Sequence, residues 1–234
     1  MFYETAGYDC CFSGPDAEFF WNIKVREMTH PIATTRLTIL LPAGRLPLAI
    51  MDKAHALARK YQLELYLSTA QNLRLMGIRE EDLSAIREEL AALGAQFKGP
   101  GKFPIPRVCI GVRDCSMGIG DPERISALIL DRFKERQKTK QKFKIAISGC
   151  TLGCSGVLTT DIGIMATRKG FDFYVGGKGG PSPKVGRRIL RDLDEQEVVA
   201  VVAELVEFHD AHTETKQRMV KLLDHPDFPY KEAV

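Results

Sequence analysis

Six cysteines occur in the chain, and four of them fall into two spaced pairs. Cys109 and Cys115 bound CIGVRDC, a CxxxxxC, and Cys150 and Cys154 lie in GCTLGC, a CxxxC. Four thiolates satisfy a 4Fe-4S cube. Zinc also accepts four cysteines, although its structural sites use tighter CxxC-type knuckles, and four unligated thiols are the remaining alternative. Glycines crowd both pairs, at Gly111, Gly118, Gly120, Gly149, Gly153 and Gly156. They suit a backbone that must turn tightly beside a bulky group, or they are ordinary loop punctuation.

Two lysines precede the second pair in KFKIAISGCTLGCSG, so ammonium groups and thiolates come close along the chain. On a strand, alternate residues share a face, which puts Lys142 and Lys144 on one side and Phe143, Ile145 and Ile147 on the core side. Adjacent ammonium groups repel unless water screens them or an anion neutralises both. The pattern reads as an anion contact or as a solvated strand face.

The chain has 234 residues, 44% hydrophobic and 27% charged, enough for one large domain or two small ones around a sizeable core. No apolar run approaches the roughly 18 residues of a membrane span, so no membrane partner is expected. A net charge of +3 is too small for a concentrated nucleic-acid face. Asp9, Asp16 and Glu18 interrupt any signal-like opening, and a cytoplasmic protein is expected. Cysteines in a reducing compartment serve as metal ligands or free thiols rather than disulfides. Adjacent Cys10 and Cys11 are read as free thiols, and Trp21 as packing an N-terminal arm. The five histidines (His30, His55, His209, His212 and His225) show no ligand spacing with carboxylates or cysteines and are read as surface or core residues.

The elements that must position these groups follow from periodicity. RLTILLP reads as a strand and LPLAIMDKAHALARKYQ as a helix, with Leu48, Met51, Ala54, Ala58 and Tyr61 at helical spacing. LELYLS and NLRLMG are strands, and EEDLSAIREELAALG is an amphipathic helix closed by a glycine. QFKGPGKFPIP looks like a linker. Beyond it, Asp121 and Pro122 start a helix that turns Ile125, Leu128, Ile129 and Phe133 inward. KFKIAIS is a strand, DIGIMAT and FDFYVGG a hairpin around Lys169-Gly170, and DEQEVVAVVAELVEFHDAH a long helix followed by a shorter one.

The CxxxxxC, the later GCxxxC and the run DIGIMATRKGFDFYVGGKGG together resemble the sulfite and nitrite reductases that couple siroheme to a 4Fe-4S cluster. The resemblance spans roughly Thr35 to Leu223. It implies an α+β chain: an arm over residues 1–34, a ferredoxin-like half-domain over 35–98, and an α/β siroheme and 4Fe-4S cluster-binding domain over 105–234. By the same resemblance Cys109, Cys115, Cys150 and Cys154 hold the cluster, and Cys154 also bridges to the siroheme iron. KFK matches the lysine pair that contacts the anion in this family, so Lys142 and Lys144 are expected to hold sulfite and relay protons.

Relatives place an arginine in the strand where this chain reads STAQNLRLMG, but Ala70 and Asn72 stand at the aligned positions. Arg74 shares their face by the period-two rule, and Arg107 is a second candidate. Siroheme carries carboxylates that need cations, and Arg113, Lys178 and Arg187 are the candidates. The implied reaction is six-electron reduction of sulfite to sulfide, with nitrite as the alternative substrate and a small single-copy sulfite reductase as the type. No flavin or nicotinamide fingerprint is visible, so electrons are expected from a ferredoxin or a separate reductase subunit. A homodimer is a candidate assembly. Two rival readings are a 4Fe-4S electron-transfer protein without siroheme and a zinc-stabilised binding protein.

Overall fold

Alternation of apolar and polar residues builds the first of two sheets. In β1 (Thr34–Leu40) Leu37 and Ile39 are buried while Arg36 is exposed, the pattern of a strand with one face on a core. A computed structural model of the protein describes residues 34–137, 139, 143–214 and 217–231. The expectations for the N-terminal arm, Cys10, Cys11, Trp21, His30 and Lys142 lie outside the described residues. β3 (Leu73–Arg79) pairs antiparallel with β1 and with β2 (Glu64–Leu67), and β4 (Gln96–Phe97) pairs with the other edge of β1. The order is β2-β3-β1-β4.

Two helices cover one face of this sheet. Ile50, Ala54 and Leu57 of α1 (Leu48–Tyr61) and Ile86 and Leu90 of α2 (Leu83–Ala91) pack on Leu37, Ile39, Leu73, Leu75 and Ile78. Each fully buried side chain of this kind contributes about 1.5–3 kcal/mol. The stripe of α1 corrects the expected one: Leu48 is 72% and Met51 44% exposed. A stripe starting at Ile50 recurs at the i+4 and i+7 positions and shares Ala54 with the expected set, so periodicity alone favoured neither. α2 ends as its glycine suggested. Gly94 has φ +80°, its N–H donates to the Ala91 carbonyl at 2.9 Å, and the Ala95 N–H reaches the Leu90 carbonyl at 3.2 Å, the paired bonds of a Schellman stop.

The second sheet has the order β5-β6-β7-β8-β9. β5 (Arg107–Val108), β6 (Ile145–Ser148) and β7 (Ile162–Ala166) run parallel, and β8 (Phe171–Val175) and β9 (Arg187–Leu193) continue antiparallel. α3 (Pro122–Arg132) carries the chain from β5 to β6. Asp121 caps it by accepting from the Arg124 N–H at 3.1 Å. α4 (Glu195–Ala211) begins in a capping box formed by Asp194 and Glu197. Ile125 and Ile129 of α3 and Val198, Val202 and Leu205 of α4 share one core with Ile145, Ile147, Ile162, Ile164 and Phe173. Leu128, expected inside, is 38% exposed, because the buried stripe of α3 runs through Ile125, Ile129 and Phe133.

Three further differences concern connections. Gly101 bridges to Thr139 and Phe103 is buried, stacked on Phe133 at 4.2 Å, so the segment read as a linker is packed rather than free. β9 was not expected, since its arginines drew attention to charge rather than to the alternation of RRILRDL. The shorter C-terminal helix is reduced to one 3-10 turn at Met219–Lys221, in a segment that Pro226 and Pro229 keep from continuing as helix. Among the described residues no helix is long and apolar enough to cross a membrane.

Candidate active site

Parallel pairing of β5 with β6 brings the two cysteine loops together at the carboxyl ends of adjacent strands, where α/β sheets hold ligands. The Cys109 N–H donates to the Ile147 carbonyl at 3.2 Å, and the N–H groups of Ile119 and Gly120 donate to the Gly149 carbonyl at 2.8 and 3.0 Å. The Gly149 N–H in turn points at Cys109 Sγ, 3.1 Å away. Donors to sulfur are one of the means by which a protein tunes a cluster. Cys150 is buried, Cys109 half-buried, and Cys115 and Cys154 exposed, and none of the four is in a disulfide.

Glycine is required at the meeting point of these loops. A Cβ on Gly149 would stand 2.6 Å from Gly111 Cα and 2.8 Å from the Gly120 carbonyl oxygen, both backbone atoms that cannot rotate away. Gly149→Ala is therefore expected to push the loops apart, costing about 1–3 kcal/mol by overpacking and lowering the iron content of purified protein. Metal analysis beside a thermal melt checks this; unchanged values for both would mean that the loops yield freely.

After Cys150 the chain folds back over β6. The Ser155 N–H donates to Ser148 Oγ at 3.2 Å, the two hydroxyls are 2.7 Å apart, and Val157 covers Ala146 and Met165. All four residues of β6 are buried because this returning loop closes the face opposite the helices. Arg107 Nε donates to the Ser155 carbonyl at 2.5 Å, so this guanidinium braces the loop that carries Cys154.

Lys144 lies at the other end of β6. Its side chain is exposed, and its N–H donates to Asp161 Oδ2 at 3.0 Å. β6 stands between the lysine and the thiols, and its four residues, Ile145–Ser148, rise about 13 Å. Asp161 is fully buried and also accepts from Arg218 Nε at 2.7 Å and the Met219 N–H at 3.0 Å. Burial raises its pKa, and the Arg218 ion pair and backbone donors offset that only in part.

The candidate cations divide by partner. Arg113 pairs with Asp121 at 3.0 Å and with Glu123 at 3.3 Å. The hydrogen bond that Arg113 donates to Asp121 holds the guanidinium pKa up; for Asp121, burial acts upward, but Arg113 and the helix N–H groups bring the net shift down. Arg187 reaches Asp224 at 3.1 Å and the Leu223 carbonyl at 3.4 Å. Lys178 sits half-buried in a short bridge to Lys184. Arg74 lies over the Tyr66 ring at 5.9 Å, and its Nε is buried without a hydrogen-bond partner among the described residues. An orphaned guanidinium N–H fits a bound anion or a tetrapyrrole carboxylate.

One positioning residue escaped sequence reading. Gln71, in the left-handed region at φ +58°, donates to the Val108 carbonyl at 2.7 Å and accepts from the Val108 N–H at 2.8 Å. It clamps the first sheet to the residue preceding Cys109. A glutamine before a strand carries no signal of this kind, since both its partners are backbone atoms distant in sequence.

The donor set suits a cube better than a single ion. Thiolates on one tetrahedral zinc stand about 3.8 Å apart. Among the described residues no three cysteines form a group at single-ion spacing.

Solved structures share this fold. The Mycobacterium tuberculosis NirA protein matches 80% of this chain and 37% of its own with a TM-score of 0.67 at 18% identity. Dissimilatory sulfite reductase I matches 80% of this chain and 65% of its own with a TM-score of 0.65 at 12% identity. These establish the fold. The family model for the nitrite and sulphite reductase 4Fe-4S domain matches residues 106–227, and that for the nitrite/sulfite reductase ferredoxin-like half domain matches residues 34–93. The chain belongs to the nitrite and sulfite reductase family, whose members carry siroheme and a 4Fe-4S cluster.

Curated relatives include both activities. The nitrite reductase [NAD(P)H] large subunit of Klebsiella oxytoca is 32% identical over 72% of this chain and 18% of its own length. The nitrite reductase [NAD(P)H] of Emericella nidulans is 28% identical over 79% of this chain and 17% of its own length. The assimilatory-type sulfite reductase of Nitratidesulfovibrio vulgaris is 25% identical over 78% of this chain and 84% of its own length. The chain thus spans less than a fifth of the length of the two nitrite reductases.

Proposed function

We propose that this chain is the catalytic unit of a siroheme-dependent reductase that takes sulfite to sulfide, with nitrite the alternative substrate at the same site. The observation that carries the reading is the hydrogen-bonded junction of the two cysteine loops at the ends of β5 and β6. Cys109, Cys115, Cys150 and Cys154 would hold the cluster, and Cys154, exposed on the returning loop, would also serve the tetrapyrrole iron. Bound siroheme would supply the electron-rich iron at which the anion is reduced. Arg74, Lys178 and Arg187 neutralise its carboxylates or the substrate anion, Arg107 fixes the Cys154 loop, and Arg113 serves only by exchanging its present carboxylates. The units proposed are residues 35–98 and 105–234, and the protein acts in the cytoplasm with electrons from a ferredoxin-like protein or a reductase subunit.

Sulfite is favoured over nitrite because a dianion gains more from paired ammonium groups. Lys144 holds the anion and donates protons to departing oxygen, with Lys142 as its neighbour. Because β6 separates Lys144 from the cysteine loops of its own chain, this lysine serves the site of a second copy about a two-fold axis.

Dye-coupled reduction of sulfite and nitrite, with sulfide and ammonia measured as products, tests the reading; a protein that carries siroheme yet reduces neither anion overturns it. Lys144→Met is expected to lower kcat for sulfite by about 10²-fold or more without loss of iron. Mixing it with a cysteine-deficient variant before assembly is expected to restore part of the activity. No restoration in a mixture shown to contain hybrid dimers would confine the lysine to its own chain.

A further inference from the structure

A second group of metal-binding side chains lies away from the cysteine loops, and it corrects the reading of the histidines as unpaired. α4 ends at Ala211, and after the 3-10 turn at Met219–Lys221 the chain returns so that His212, His225 and Asp227 meet. One ligand atom from each lies within 4.8 Å of the others. Asp227 Oδ2 is 3.9 Å from His212 Nε2 and 3.8 Å from His225 Nδ1.

The proton positions make this group unusual. His212 Nδ1 lies 2.9 Å from the Phe208 carbonyl oxygen, which can only accept, so Nδ1 carries the hydrogen and a neutral ring turns the Nε2 lone pair toward Asp227. A backbone carbonyl behind the distal nitrogen is the usual support of a metal-binding imidazole. The Asp227 N–H donates to His225 Nδ1 at 3.2 Å, a long bond that shows this nitrogen unprotonated and that an incoming ion would displace from its one lone pair. With that bond exchanged for an ion, His212 Nε2, His225 Nδ1 and an Asp227 carboxylate oxygen supply three donor atoms around one point. The gaps of 3.8 and 3.9 Å are too long for hydrogen bonds, so the carboxylate is bonded to neither ring, and a divalent cation between them would draw the three together.

The surroundings hold the rings in place. Phe208 stacks on His212 at 4.2 Å and meets His225 edge-on at 5.8 Å, and Phe228 closes on Phe208 at 5.4 Å. Both histidines are half-buried, whereas the Asp227 side chain is 74% exposed, which leaves an entry path and room for water as a further ligand. Ligands on a tetrahedral ion of zinc size stand about 3.3 Å apart, so closure needs movement on the order of 1 Å, within reach of side-chain rotation. Two nitrogens and one oxygen match a borderline divalent ion, not the all-oxygen sites of magnesium or calcium.

We propose that His212, His225 and Asp227 form a second metal site, which takes a divalent transition ion of the zinc class and clips the C-terminal segment to the end of α4. This segment carries Arg218 and Met219, the partners of Asp161, so the ion stiffens the support of the Lys144 backbone.

The test uses holoprotein with any affinity tag removed, purified anaerobically with its iron content measured, and titrated with zinc by calorimetry. One zinc per chain is expected to bind without loss of iron and to raise the thermal midpoint. Asp227→Asn, at an exposed position that leaves the core untouched, and His225→Gln are each expected to weaken binding at least tenfold and to abolish the shift. Zinc binding of equal strength in both variants overturns the proposal. So does the absence of uptake at millimolar zinc, which would leave a protonated histidine as the cation between the acceptors, and so does uptake only as iron is lost, which would place zinc on the cysteines.

Discussion

Cys150→Ser is expected to leave a protein without its iron-sulfur absorption and with sulfite and nitrite reduction at background. Cys150 is the buried member of the four cysteines and follows directly on β6, so its thiol has the least freedom to be replaced by water or by a neighbour. A serine hydroxyl is a poor ligand for iron in a cluster, because the hard alkoxide forms only at a pH far above that at which a thiolate does. The loops themselves should persist. Their hydrogen bonds, from Cys109 to Ile147 and from Ile119 and Gly120 to Gly149, use backbone groups that the substitution leaves alone. The variant should therefore remain folded and colourless, which circular dichroism, iron and acid-labile sulfide together establish. A variant with wild-type iron and an unchanged visible spectrum would remove Cys150 from the ligand set and leave Cys109, Cys115 and Cys154 to be explained by other chemistry.

The second large effect is one of stability. Asp161→Ala removes the only carboxylate found on Arg218 among the described residues and strands the Met219 and Lys144 N–H groups, all directed into a fully buried position. Breaking a buried pair by deleting one partner costs about 3–5 kcal/mol, which for a chain of this size lowers the thermal midpoint by about 10 °C. The pH dependence has a definite sign. Burial lifts the Asp161 pKa above its usual carboxylate value even with Arg218 beside it, so the folded state holds this proton more tightly than the unfolded chain does. Its contribution is greatest below the ordinary carboxylate range and is lost as pH rises through the raised pKa. The gap in stability between wild type and Asp161→Ala should accordingly narrow across that window and then stay constant. A gap that widens as pH rises would mean that the Arg218 pair outweighs burial.

These two residues illustrate what could be read from sequence. Cys150 was legible, because glycine-flanked cysteines at fixed spacing describe a local loop whose chemistry hardly depends on the rest of the fold. Asp161 was not. Its importance comes from Arg218 and Met219, which are remote in sequence, and a single aspartate before a strand carries no mark of its burial. The same holds for Gln71, whose partners are the N–H and carbonyl of Val108, and for His212 and His225, which looked unrelated along the chain. For Lys144 and Cys150, nearness along the sequence becomes a separation by the length of β6 in the fold.

What the sequence determined by itself was therefore local: the cap at Asp121, the glycine stop at Gly94, the hairpin around Gly170, the cysteine spacing and, through these motifs, the family. Tertiary structure alone decided which stripe of α1 faces inward, where the guanidinium groups find their carboxylates, and which distant side chains converge on Asp161 and Asp227. The physical reason is range. Backbone propensities and loop ligands act within a few residues, whereas burial and ion pairing are set by whatever the folded chain brings within a few ångströms.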